Sequence, residues 1–399
     1  MSKSYDVLII GAGIMGCTTA FELAGRGLAV ALLEKKTVGE GPTGRSSAIV
    51  RQHYSNELTA HMARYSLDVF RDFDARVGVS GGGGTGGECG FVQAGFLVLV
   101  EEKDRAGLEA NVALQRRVGI ETEILSPQAL RDLIPHMETG DLVAAAYEPL
   151  SGYADPYLTV TAFARAARQR GADVYQGTEV TALHIEHGRV LGIETAGERF
   201  DAPLVVNCTG AWAAGLAATA GIGLPIHSCR IQVAFFRRPS GHEAAHPVVG
   251  DFINAIYFRP ETGNLTLVGL IDPAEANAIF PPDRYDERMD AKFVLDVGER
   301  LVSRYPAMED SQSTGGYASL YAITPDWHPV VDEVPAGSGH YVCSGFSGHG
   351  FKLGPAVGLM VADLITGVND SLFDAGLFRL DRFATGDVVR GQYEYSIVG

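Results

Sequence analysis

The sequence predicts an α/β protein in which a Rossmann-type dinucleotide-binding domain is interleaved with a second, β-rich α+β domain. Three stretches predict it. Near the N-terminus a short apolar strand, Val7 to Ile10, runs into Gly11-Ala-Gly-Ile-Met-Gly16, then a helix-like run from Cys17 to Arg26 and a second apolar strand, Ala29 to Leu33, closing on Glu34. Leu204-Val-Val-Asn-Cys-Thr-Gly-Ala-Trp212 is another apolar strand leading into a glycine turn, and His340 to Gly358 returns to a strand punctuated by glycines and passing into a helix. Continuous apolar runs this short suit strands buried on both faces of a parallel sheet.

The first stretch carries a physical mechanism. Gly11 permits a tight turn, Gly13 lets the backbone approach a pyrophosphate, and Gly16 lets the helix sit close on the strand. The first-turn N–H groups of that helix would face the phosphates. Glu34 stands about 20 residues on, where a carboxylate can accept hydrogen bonds from both ribose hydroxyls. Its charge argues against a 2′-phosphate. A glycine turn with no ligand is the competing reading, and the strand–helix context with an acid at the right distance disfavours it. The motif by itself leaves NAD and FAD equally open.

The bulk properties narrow the partners. A chain of 399 residues, 46% apolar, has ample material for two intimate domains. A net charge of −16 disfavours nucleic acid and anionic membrane, which need a positive surface. Any site for an anionic substrate must then be locally cationic. Cys17, Cys89, Cys208, Cys229 and Cys343 show neither C-x-x-C nor His-spaced pairs, so neither a disulfide scaffold nor a metal is expected. Met1-Ser-Lys-Ser leads straight into the first strand and no apolar run reaches spanning length, so the expectation is a cytoplasmic protein without a membrane anchor.

Taken in order, the polar run from Lys35 to Tyr54, rich in Gly, Ser and Thr, is expected to pass along the cofactor, with Arg45, Ser46 and Ser47 among its contacts. Apolar residues recur at helical spacing from Asn56 to Val77. Gly81 to Gly87, broken only by Thr85, reads as a mobile loop or crossover. Gly90 to Val100 reads as a strand, Glu101 to Val118 as a charged helix, and Ser126-Pro127 as a capped helix start. Asp155 caps a helix running to Arg170. Strands are expected at Val180 to Glu186, Val190 to Thr195, Ile226 to Phe236, Ala255 to Arg259 and Leu265 to Leu270, with a helix from Asp290 to Tyr305. The dinucleotide domain is therefore assigned to 1–87, 150–225 and 320–399, and the substrate or cap domain to 88–149 and 226–319, with the site between them.

Ser344-Gly-Phe-Ser-Gly-His-Gly-Phe-Lys352 offers small residues, backbone N–H groups, a helix start and an embedded His349 and Lys352. A helix N-terminus with a lysine suits an electron-rich heterocycle or a carboxylate, because both gain from positive potential. This late segment, Tyr321-Ala-Ile-Thr-Pro-Asp326, Asn207-Cys-Thr-Gly-Ala-Trp212 and the N-terminal unit together resemble the sarcosine oxidase branch of the D-amino-acid oxidase family.

The resemblance implies FAD rather than NAD, an FAD-binding Rossmann-type domain of the glutathione-reductase-like kind, and oxidation of an amino-acid C–N bond to an imine that water hydrolyses, with electrons passing to O2 or another acceptor. The expected substrate is a small secondary or N-methylated amino acid. It further implies that Arg51 and Lys352 clamp the substrate carboxylate, with His53 nearby, a fork and a point charge on one anion. His349, Tyr321 and, loosely, Tyr257 match residues at the reacting end. Gly348, His349, Gly350 and Lys352 should meet the flavin, with Thr209 and Gly210 along its length. For each of these residues the competing role is packing or a surface ion pair.

Three departures qualify the resemblance. Ser319 stands where single-subunit members carry the cysteine that holds the flavin covalently, so the FAD is expected to be non-covalent. Ala48 replaces an arginine, and the family's oxygen-activating lysine falls at Thr266, which weakens the case for a fast oxidase and leaves an acceptor-linked dehydrogenase open beside it. The rivals are an FAD-carrying β-type subunit of a heteromeric opine or sarcosine oxidase or dehydrogenase, an FAD electron-relay subunit without a substrate of its own, and an NAD-dependent dehydrogenase. A partner subunit or a homo-oligomer fits the first of these.

Overall fold

The computed structural model of the protein describes residues 4–78, 87–272 and 279–391. The glycine run at 81–87 lies outside them except for Gly87, which opens a short 3-10 turn, Gly87–Cys89. A six-stranded sheet has the order Val330–Glu333, His340–Ser344, Leu204–Asn207, Val7–Ile10, Val30–Leu33, Asp173–Tyr175. Every neighbouring pair in it is parallel except the first. Val7–Ile10 and Val30–Leu33 are buried along their whole length, as their unbroken apolar sequence requires.

Helix Ile14–Gly25 covers one face of this sheet and packs against the late helix Gly350–Thr366 and against Pro156–Gln169. The close approach of the first two depends on glycines four residues apart. A Cβ on Gly354 would lie 2.4 Å from Ile14 Cγ1, and one on Gly358 would lie 2.7 Å from the Thr18 carbonyl carbon. Asp155 caps Pro156–Gln169 by accepting from Leu158 N at 2.8 Å. The long helix expected from Asn56 is two helices, Glu57–Arg71 and Phe73–Val77, because Asp72 between them leaves helical geometry with ψ 41°. Only Phe96–Val100 of the expected strand from Gly90 forms, since Gly95 sits at φ 80°, outside strand conformation.

An eight-stranded sheet makes the second layer, in the order Gln312–Ile323, His227–Arg237, Leu265–Leu270, Ile256–Glu261, Val248–Asp251, Phe96–Val100, Ala144–Glu148, Glu123–Leu125. Gln312–Ile323 pairs with His227–Arg237 along its length. The boundary placed at 320 therefore falls inside a strand, which leaves the sheet only after Ile323. Helix Ala291–Arg304 buries Phe293, Val297 and Leu301 against Ile256, Phe258 and Val268. Its last residue, Arg304, is fully enclosed, with Nε 2.7 Å from Asp251 and Nη1 2.7 Å from Asp141. Among the described residues no helix is long and apolar enough to cross a membrane, and no group of three or more acids, histidines or cysteines is placed to hold a metal.

Candidate active site

A cavity of about 1150 Å³ runs between the carboxyl ends of the parallel strands and the large sheet. Ile10, Leu33, Cys208 and Ser344 line it from the first sheet, and Ile231, Val233, Tyr257 and Ser319 from the second. Ligands of open α/β sheets bind at this end of the strands, because the loops there are free to diverge around them.

The cradle at one end is built by close backbone approach. Gly11 has φ 98°, and a Cβ there would sit 2.7 Å from the Cys208 carbonyl oxygen. Gly16 is packed harder still, its would-be Cβ 1.9 Å from the Gly11 oxygen. It lies outside the cavity lining, so its part is to hold the helix against the turn. Gly13, which does line the cavity, caps the helix without a side chain, leaving the helix N-terminus facing the space. Glu34 is fixed by two backbone donors, Ala12 N to Oε2 at 2.9 Å and Lys36 N to Oε1 at 3.0 Å. Each oxygen keeps a lone pair for a ribose hydroxyl.

Arg45, Ser46, Ser47, Thr209 and Gly210 all line the cavity. Thr209 Oγ1 donates to Asn207 Oδ1 at 2.6 Å, and Ser344 Oγ donates to the Gly210 carbonyl at 2.9 Å, which ties two parallel strand ends together. Arg45 spends its guanidinium on Tyr285 and Glu287, each at 2.7 Å. Two contacts carried no sequence signal: Thr43 Oγ1, which accepts from Ile14 N at 3.1 Å, and the segment around Asp283 and Tyr285, which forms the outer wall.

At the other end Gly348, Gly350, Ser319, Tyr321 and Tyr257 line the cavity. The Tyr321 ring lies so close on Gly348 that a Cβ there would meet Cε2 at 2.4 Å. Tyr257 is held in the same way against Gly269, its partner across the sheet. Residues paired across antiparallel strands share a face, so Gly269 stands on the cavity side. Thr266, an odd number of residues away, points into the opposite face, where it is fully buried beside His246 Nε2 at 3.3 Å. The expected cation position at Thr266 is thereby corrected: the strand's alternation puts that side chain away from the cavity.

Arg51, His53, His349 and Lys352 come together in a buried cluster that lies outside the cavity lining. Arg51 donates to the His53 carbonyl and stacks over the Tyr54 ring at 4.6 Å. Lys352 Nζ donates to the His349 carbonyl at 3.4 Å. Burial and the neighbouring Arg51 hold the Lys352 ammonium well below its ordinary pKa. Burial, then His328 and Lys352, do the same to His349. Glu148 supplies the acid of this region, accepting from Gln52 N, Gln115 Nε2 and Ser151 Oγ at 2.7–2.9 Å, and burial pushes its carboxyl up. His53 Nδ1 lies 3.8 Å from Glu148, yet burial and Arg51 push the imidazole down to about 3, so this is a contact between a neutral ring and an acid rather than an ion pair. Glu148 and Gln115 stand in no motif, and only the fold brings them here.

The chain is similar to several known proteins. Human mitochondrial sarcosine dehydrogenase is 30% identical over 382 residues, covering 92% of this chain but 40% of that protein. The chain thus spans about two fifths of the length of that relative. Glycine oxidase of Geobacillus kaustophilus is 28% identical over 394 residues, 96% of this chain and 98% of that one. The crystal structure of L-proline dehydrogenase from P. horikoshii superposes with a TM-score of 0.87 at 28% identity, covering 98% of this chain and 100% of that one. The family model described as FAD dependent oxidoreductase (DAO) matches residues 6–364, a span that takes in both sheets and every segment lining the cavity. The chain belongs to the DAO family of FAD-dependent oxidoreductases.

Proposed function

We propose that this chain oxidises the C–N bond of a small secondary or N-methylated amino acid. The observation that carries the reading is that the fold brings Arg51, Lys352 and His349, far apart in sequence, into one buried cluster, with Gly348 and Gly350 of the same turn lining the cavity. A guanidinium fork and a lysine amine on one carboxylate would fix both its position and its plane. Sarcosine and L-proline, for which two of the relatives are named, are both secondary amines bearing one carboxylate.

FAD, the cofactor of the family, supplies the two-electron acceptor when bound. Gly11, Gly13 and the helix end would hold its pyrophosphate, Glu34 its ribose, and Ser46, Ser47, Thr209 and the Gly348–Gly350 turn its remaining length. Ser319 offers a hydroxyl where a thiol would be needed for attachment, so the FAD should dissociate; acid precipitation that leaves the yellow colour in the pellet would overturn this. Arg51 and Lys352 now donate to main-chain carbonyls, and a substrate carboxylate displaces those neutral acceptors with a charged one. Tyr321 and Tyr257 wall the space, and His349 orients the amine. Water then hydrolyses the imine.

Anaerobic addition of sarcosine, L-proline, other N-methyl amino acids and glycine to the FAD-loaded protein tests the reading. Secondary amino acids should bleach the flavin, and admitting oxygen then separates oxidase from dehydrogenase by the speed of recolouring. A flavin that stays oxidised with every compound would favour the relay reading. A second reading, an FAD-carrying subunit that works with a partner, is favoured by the likeness to the sarcosine oxidase subunit beta of Rhodobacter capsulatus, 25% identical over 97% of this chain and 90% of that one. It predicts bleaching that is slow alone and quickened by a partner subunit.

A further inference from the structure

The outer wall of the dinucleotide cavity is a segment of the large-sheet half, Ile279 to Glu287, laid across the Rossmann half. Phe280, Asp283, Tyr285 and Glu287 line the cavity from it. Its two sides are held by different means. On the large-sheet side the bonds use its backbone: Phe280 N donates to the Ser228 carbonyl at 3.1 Å, Arg230 Nε donates to the Asp286 carbonyl at 2.8 Å, and Ala318 N donates to the Glu287 carbonyl at 2.8 Å. On the Rossmann side the bonds among the described residues come from side chains. Lys35 Nζ meets Asp283 at 3.0 Å while lying over the Trp212 ring at 3.9 Å, and Trp212 Nε1 donates to the same carboxylate at 2.7 Å. Further along, Arg45 joins Tyr285 and Glu287, each at 2.7 Å.

We propose that this segment is a latch over the FAD cavity, hinged on the large sheet and closed by two clasps, Asp283 on Lys35 and Trp212, and Glu287 with Tyr285 on Arg45. The first clasp stands beside Glu34, at the adenosine end, and the second precedes Ser46 and Ser47, so together they close the cavity along its length. The Asp283 and Glu287 side chains are 68% and 54% exposed. Ion pairs so exposed are weak and screened by salt. The backbone-bonded side therefore stays put while the clasped side opens, and opening lets FAD enter and leave without unfolding either sheet.

Release of FAD from the diluted holoenzyme, followed by the flavin absorbance of an ultrafiltrate, tests this without reference to turnover. Asp283→Asn combined with Glu287→Gln should release FAD about tenfold faster than wild type, each clasp contributing about three- to fivefold. Asp283→Glu, which keeps the carboxylate, should stay within about threefold of wild type. The sign discriminates between causes. Were these carboxylates acting only through their field, removing negative charge near the pyrophosphate would slow release rather than speed it. Unchanged or slower release in the double variant overturns the latch. The wild-type protein gives an independent measurement, because release should quicken at least threefold between 0.05 and 1 M salt, and a rate that does not respond to salt overturns the clasps.

Discussion

His349 Nε2 lies 2.8 Å from the carbonyl oxygen of Trp327, a residue held at φ 63°. A carbonyl only accepts, so Nε2 carries the proton and Nδ1 presents a lone pair, with no partner among the described residues. A neutral imidazole with a bare nitrogen suits an acceptor that orients a substrate amine. His349→Ala should leave FAD bound and slow anaerobic flavin reduction tenfold or more, measured by stopped-flow absorbance. Equal rates would remove His349 from the chemistry.

The carboxylate clamp makes a separate claim about binding. Arg51→Ala and Lys352→Met should each raise the substrate concentration for half-maximal reduction at least tenfold, about 1.4 kcal/mol. The maximal rate should change less. A simple carboxylate such as acetate, titrated as an inhibitor, should lose affinity in parallel.

The loop that holds His349 is itself held by a buried ion pair. Arg382 Nε is 2.8 Å from Asp326, both side chains being almost wholly enclosed, and Arg382 Nη2 donates to the His328 carbonyl at 2.8 Å. Arg382→Met strands the Asp326 charge and should cost about 3–5 kcal/mol of stability. Chemical denaturation measures the loss, and a change within about 1 kcal/mol would mean that the carboxylate finds other partners.

The glycine cradle should tolerate no side chain. Gly16→Ala drives a Cβ to 1.9 Å from the Gly11 oxygen, and Gly11→Ala adds left-handed strain to a 2.7 Å contact with Cys208. Each should lose about 2–5 kcal/mol and yield colourless protein. The ratio of flavin to protein absorbance, read beside the melting temperature, checks both.

Acid should destabilise the protein through its buried imidazoles. Burial and Arg51 push His53 down to about 3 in the folded chain, whereas the unfolded chain returns it to about 6.5. Between those values the unfolded state binds the proton first, so this contribution to stability is complete above about pH 6.5 and is lost as the pH falls towards 3. The melting temperature should therefore decline from pH 7 to pH 4.5, and His53→Gln should make that decline shallower. An unchanged slope would show that other groups carry it.

Much of this was legible in the chain itself. The apolar runs at Val7, Ala29 and Leu204, the glycine spacing and Glu34 fixed the parallel sheet and one end of the cavity, because a strand–turn–helix unit is local in sequence and its steric demands fall on neighbouring residues. Local pattern also told that Asp155 would cap a helix. What the sequence could not supply was facing. Which face Thr266 takes turns on strand register, set by the pairing of Gly269 with Tyr257 in another strand. The late glycines Gly354 and Gly358 gain their meaning from Ile14 and Thr18, more than three hundred residues earlier. Glu148, Gln115, Asp283 and Glu287 stand in no motif, and folding alone carries them to the buried cations and to the cavity wall. Local sterics are written in adjacent residues, whereas charge pairing and burial depend on distances that exist only once the two sheets have closed on one another.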